Sequence, residues 1–202
     1  MLLEVLSSMF PLILRRAVAR LAVVFVYTAA MLAANPAVAA DPATLAALRE
    51  GDMRKLVVHD TPRPVPEAVF LDADDGAHAL EAWRGRHVLL NFWATWCPPC
   101  RHEMPGLDRI EAEMGGAEFA VVPVATGRNP LPAIRRFYDE AGLAHLPVLR
   151  DPDQSLARQM GVFGLPVTVV LDPEGREIAR LTGDAEWDSP EARRWLQALL
   201  GE

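Results

Sequence analysis

The chain is short of several things, and each shortage narrows the classes open to it. Among its 202 residues there are only two cysteines. A small secreted domain stapled by disulfides would scatter more of them. There is no second cysteine pair and no His-x-x-x-His, so the roughly four ligands of a structural zinc site cannot be assembled from a familiar pattern. The longest uncharged apolar stretch, Leu21–Ala34, has 14 residues, a borderline length that suits the core of a signal peptide better than the about 20 that cross a bilayer as a helix. Basic residues are also scarce. Twenty Lys and Arg face 27 Asp and Glu, a net charge of −7. Residues 1–40 hold three arginines and one glutamate, so the remainder has 17 against 26, or −9. Such a chain does not bind nucleic acid by neutralising phosphates, and no basic stripe interrupts the acidity. Internal repeats are absent as well.

What is present begins with the placement of the two cysteines. They stand in Phe92-Trp93-Ala94-Thr95-Trp96-Cys97-Pro98-Pro99-Cys100. A Cys-x-x-Cys pair closes a short disulfide or opens to two thiols. The prolines suit the first turn of a helix, which puts Cys97 at a helix N-terminus, where dipole and free N–H groups stabilise a thiolate. Cys97 is therefore expected to be the exposed attacking thiol, with Cys100 shielded one turn inside as the resolving one. Pro98 and Pro99 have no N–H, so two backbone donors to the Cys97 thiolate are missing. A less stabilised thiolate means a lower reduction potential, and the pair leans reductant.

Ahead of this lies an export pattern. Arg15, Arg16 and Arg20 precede the apolar stretch, and Ala37-Val38-Ala39 offers a small-x-small cleavage site. Residues 1–40 read as a signal peptide, with an uncleaved N-terminal membrane anchor as the competing reading. Residues 41–66 read as a linker or as a lead-in pinned to the domain's flank, with a short helix carrying Leu45, Leu48, Met53 and Leu56. The segment is then extended through Thr61-Pro62-Arg63-Pro64-Val65-Pro66 because each proline pushes its predecessor out of the α region.

Strand and helix patterns alternate from Arg86 onward, the mark of a mainly parallel or mixed sheet covered on both faces. Strands are expected at His87–Trp93, Phe119–Ala125 and Val148–Arg150. A helix is expected from Cys97 to Met114, with Cys100, Met104, Leu107, Ile110 and Met114 on one face and Gly115-Gly116 at its end. Further helices are expected over Leu131–Ala141 and Leu156–Met160, the latter capped by Asp153. A hairpin of Thr168–Leu171 with Ile178–Leu181 follows, then a last helix opened by Ser189-Pro190. His59, His78, His87, His102 and His145 are dispersed and read as surface or loop residues. Trp83, Trp187 and Trp195 read as packing, and Trp93 and Trp96 as shaping a groove and the sheet.

With Trp93, Trp96, Cys97, Cys100, Pro105 and Gly164-Leu165-Pro166-Val167-Thr168, the chain resembles the thioredoxin superfamily, within it the TlpA/ResA/CcmG-like thiol-disulfide reductases. The resemblance implies an α/β, thioredoxin-like fold over residues 67–202: a central mixed sheet flanked by helices, an N-terminal β-hairpin at Val69–Trp83, and a strand–helix insert before Pro166. It implies a cis bond at Pro166, bringing the Leu165 backbone beside Cys97 to pair with an extended substrate. Trp96 and Pro98 would border that substrate. Asn91 stands where thioredoxins carry a proton-handling aspartate, and it cannot titrate. Glu103 matches an acidic residue kept near the cysteines and would tune their proton transfer.

The expected function is thus an envelope, periplasmic protein-disulfide reductase needing no cofactor beyond the Cys97–Cys100 disulfide and no metal. The resemblance points to apocytochromes c or copper-site assembly proteins as partners, and to recharging by a membrane thiol-reductant transporter. The alternative is a Cu(I)-binding metallochaperone on the same fold. Cys97-x-x-Cys100-x-His102 could be drawn as a copper site, but residues two apart on a helix point about 200° apart, and no histidine follows His145.

Overall fold

The computed structural model describes residues 41–201; the expected signal or anchor segment lies outside them. Apolar continuity decides the centre of the sheet. Strands β4 (His87–Trp93) and β5 (Phe119–Thr126) are buried at every residue, as strands covered on both faces must be. The other elements in chain order are α1 (Pro42–Ala47), β1 (Leu56–Arg63), β2 (Val69–Leu71), β3 (Ala77–Ala79), α2 (Pro98–Met114), α3 (Leu131–Ala141), β6 (Leu149–Asp151), α4 (Ser155–Gln159), β7 (Val167–Leu171), β8 (Glu177–Thr182) and α5 (Pro190–Leu200).

One eight-stranded sheet runs β1-β8-β7-β4-β5-β6-β2-β3. β4, β5 and β6 are parallel neighbours, and the remaining pairings are antiparallel. This is the mixed sheet expected, with the thioredoxin-like layering. The two-residue period of a strand divides the core. Leu89, Trp93 and Val121 join an apolar cluster with residues of α1, α2, α3 and α5. Val88, Leu90, Phe92 and Val122 join the other, under α4 and the β2–β3 hairpin. The insert also supports the hairpin. Its strand β6 seats β2 through Leu71 opposite Arg150, and the Arg150 guanidinium donates to the Asp72 carbonyl at 2.8 Å.

The helix boundaries follow local chemistry. Pro98 occupies the first position of α2 and Gly115 closes it. Ser189 caps α5 by accepting from Ala192 N–H, with Pro190 next. Gly142 ends α3 in the left-handed region that favours glycine. At α4 the expected Asp153 cap is replaced. Asp151, at the end of β6, accepts from the N–H groups of Ser155 (2.8 Å) and Ala157 (2.9 Å).

Of the two readings of residues 41–66 the docked lead-in is the one observed, and the reading of two histidines changes. The 41–66 lead-in is built into the domain: β1 forms a sheet edge on β8, and Leu45, Met53 and Leu56 are buried in the first apolar cluster. Trp195 Nε1 donates to the Leu45 carbonyl at 3.0 Å. The prolines that suggested a linker are compatible with a strand because an edge strand leaves one row of backbone groups unpaired. Of the histidines, His59 and His87 are buried rather than at the surface. His59 is bonded to Glu177 at 2.8 Å, and burial pushes the His87 imidazole pKa down.

Because Met53 is fully enclosed, Met53→Ala should destabilise the protein by about 2–5 kcal/mol. Urea unfolding of the 41–202 chain measures this, and a loss below about 1 kcal/mol would place the lead-in outside the cooperative unit.

Candidate active site

Strand β4 delivers the chain to the start of α2, and the turn between them carries Cys97. Cys97 is the N-cap residue of α2, and it is joined to Cys100 in a disulfide with Cα atoms 5.3 Å apart. Pro98 and Pro99 carry no N–H to offer the sulfur. The first N–H able to reach the Cys97 sulfur belongs to Cys100, which donates to it at 3.3 Å. One expectation needs correction: Cys97 is not openly exposed. It is 4 % exposed, against 0 % for Cys100. In the closed disulfide its sulfur is bonded to that of the fully buried Cys100. Exposure lies with the neighbours Pro98, Pro99 and Trp96, the last 63 % exposed.

The Leu165–Pro166 bond is cis. Pro166 is buried, and the half-buried Leu165 packs against the apolar cluster that includes Cys97. Trp93 does not border a groove. It is fully buried against Phe137 and Tyr138, with ring centroids at 5.4 and 6.0 Å.

Glu103 lies one helical turn beyond Cys100, on the same face of α2. Its side chain is not solvated, as a mid-helix glutamate in Arg101-His102-Glu103 ordinarily would be; the residue is 2 % exposed. Oε1 accepts from Asn91 Nδ2 at 2.7 Å, and Oε2 accepts from Ala185 N–H and Trp187 Nε1, both at 3.2 Å. Asn91 also donates to Thr168 Oγ1 at 2.9 Å. Burial pushes the Glu103 carboxyl up to about 7, despite the three donors that pull it down, with the Asp184 charge adding to the rise. Trp187, which reads from sequence as packing, thus also donates to a titratable group. Nothing local marks it, since it stands 84 residues from Glu103. His102, the residue before Glu103, is exposed and faces Asp184 at 3.6 Å.

A dithiol pair that opens and closes at the end of a central strand has one general chemistry, exchange with another disulfide. The chain is accordingly a thiol-disulfide oxidoreductase on a thioredoxin-like fold. It belongs to the Redoxin family, whose model matches residues 61–196. It is similar to the thiol-disulfide oxidoreductase ResA of Geobacillus thermodenitrificans, 32% identical over 120 residues, which are 58% of this chain and 67% of that protein. Among solved structures it is similar to the exposed lipoprotein thioredoxin Etrx1 of Streptococcus pneumoniae, with 28% identity and a TM-score of 0.55 over 66% of this chain and 98% of that one. It is likewise similar to a thioredoxin-family thiol:disulfide interchange protein of Chlorobium tepidum, with 26% identity and a TM-score of 0.56 over 69% and 97%.

The raised Glu103 carboxyl makes stability depend on pH with a definite sign. The folded protein holds this proton more tightly than the unfolded chain, whose glutamate titrates near 4.5. The contribution is therefore complete below about 4.5 and is lost as pH rises to about 7, by about 3 kcal/mol. Glu103→Gln removes that loss. Relative to the parent protein, the oxidised variant should gain stability from about pH 5 to about pH 7 and then level off. A stability difference that stays flat across this range would mean an ordinary carboxyl.

Proposed function

We propose that the protein reduces disulfides of other proteins in the bacterial envelope, after export through its N-terminal segment. The observation that carries this reading is the donor count at Cys97. With Pro98 and Pro99 silent, Cys100 supplies the one backbone N–H among the described residues that reaches the sulfur. A thiolate with so little help favours the disulfide form, so the dithiol gives up its electrons readily.

The reaction balances in two exchanges. The Cys97 thiolate attacks one sulfur of a substrate disulfide, forming a mixed disulfide and releasing the other substrate sulfur as a thiolate that takes a proton. The Cys100 thiolate then attacks Cys97, closing the Cys97–Cys100 disulfide and releasing the second substrate thiol. Cys100 must lose a proton for this, and Glu103, on the same helix face and poised near neutral pH, is the base that accepts it. The substrate strand lies along Trp96 and Pro98 and pairs with the Leu165–Pro166 backbone. No cofactor or metal enters either step. The substrates are cysteine pairs that must stay reduced in an oxidising compartment, those of apocytochrome c or of copper-site assembly. A membrane thiol transporter restores the dithiol. Among the described residues no helix is long and apolar enough to cross a membrane.

The reduction potential tests the direction. Equilibrated against glutathione, it should fall nearer about −270 mV than about −120 mV, and a value above about −180 mV would make the protein an oxidant or isomerase. Cys97→Ser should abolish disulfide reduction, while Cys100→Ser should accumulate mixed disulfides with envelope partners. Stable trapping by the Cys97 variant instead would reverse the two roles. Tight binding of one Cu(I) by the reduced protein would favour the metallochaperone.

A further inference from the structure

The cysteine loop turns on Thr95. Cys97 N–H donates to the Ala94 carbonyl at 3.1 Å, so Ala94–Cys97 is a tight turn with Thr95 and Trp96 at its corners. The Thr95 N–H and hydroxyl both donate to one atom, Oδ1 of Asn129, at 2.8 and 3.0 Å. Asn129 lies in the connection between β5 and α3 and is 8 % exposed. Its amide has one sensible orientation. Nδ2 donates to the Thr126 carbonyl at 2.8 Å and reaches the Gly127 carbonyl at 3.5 Å, which leaves Oδ1 for Thr95. From the other side, Arg101 Nη1 meets the Thr95 carbonyl at 3.5 Å, with its guanidinium 4.4 Å from the centre of the Phe137 ring. Every polar group of Thr95 is held, two of them by a single buried side chain.

We propose that Asn129 is a positioning residue for Cys97. It acts through Thr95, setting the turn that holds the Cys97 sulfur against the Cys100 N–H. That bond is already 3.3 Å long, and Pro98 and Pro99 provide no substitute. A small rotation of the turn therefore weakens the stabilisation that the thiolate receives from the backbone. Without Asn129, the Thr95 N–H is left in a part-buried place with no acceptor, and the turn rearranges to find one. The connection between β5 and α3 would then have a part in the chemistry. This inference rests on Cys97 as the attacking thiol, but not on the direction of electron flow or on the substrate.

Reduced Asn129→Ala should attack a small aromatic disulfide about tenfold more slowly than the parent protein, the size of effect that a misplaced nucleophile produces. Its equilibrium with glutathione should also move about tenfold toward the protein disulfide, which lowers the potential by about 30 mV. Thr95→Ser, which keeps both donors, should match the parent in both measurements. Thr95→Val keeps the N–H but loses the hydroxyl, and should show a several-fold slowing. It supplies the reading if Asn129→Ala does not fold. A folded Asn129→Ala with parental rate and potential, changed only in its urea midpoint, would overturn the proposal, as would a parental rate in Thr95→Val. The wild-type potential judges the reductase reading separately, and mass mapping of the first cysteine alkylated judges the assignment of Cys97.

Discussion

A buried carboxyl group with three donors organises the region behind the cysteines. Glu103 on α2 draws together Asn91 of the central strand, the Ala185 backbone and the Trp187 indole of the segment before α5. A charged carboxylate left unpaired in that place would be costly, and even paired it is pushed toward the neutral form. The fold tolerates the group because every donor is in place, and those donors come from parts of the chain 12 to 84 residues away. The same bonds fix how α2 lies on the sheet and how the C-terminal segment closes over it. Strand order and helix packing therefore meet at one titratable side chain, one helical turn from Cys100.

The cysteines themselves are governed by scarcity. Two prolines begin α2 well, since their missing N–H groups would have no helical partner there. The same omission removes them as donors to the sulfur. Helix formation and redox poise are thus consequences of one dipeptide, and what remains is the Cys100 N–H at 3.3 Å. A site with a single donor depends on the geometry of the loop that presents it, which gives the Thr95–Asn129 contact its importance.

Much was legible in the order of residues. The buried strands, the α2 and α3 boundaries and the Ser189-Pro190 helix start follow from local pattern and capping chemistry, and the β2–β3 hairpin from the family resemblance. The mixed sheet follows from the alternation of strand and helix. The lead-in was harder, because Pro62 and Pro64 carry the same signal in a linker and in an edge strand, and only the presence of β8 alongside distinguishes the two. Asp151 could not be recognised as the acceptor that caps α4 while Asp153 stood closer to the expected cap, since its reach depends on the bend after β6.

By itself the sequence determined the chemistry available: two cysteines spaced for a short disulfide, prolines that withhold their donors, an asparagine that cannot titrate, and a glutamate one turn further on. These are properties of covalent structure and short-range spacing, which no packing can alter. Tertiary structure alone decided how that chemistry is tuned. It buried Glu103, recruited Trp187 from 84 residues away, enclosed Cys97 and set Asn129 against the turn before it. Desolvation and hydrogen-bond partnership depend on which distant segments arrive at a side chain, and that information is carried by the whole fold rather than by any stretch of it.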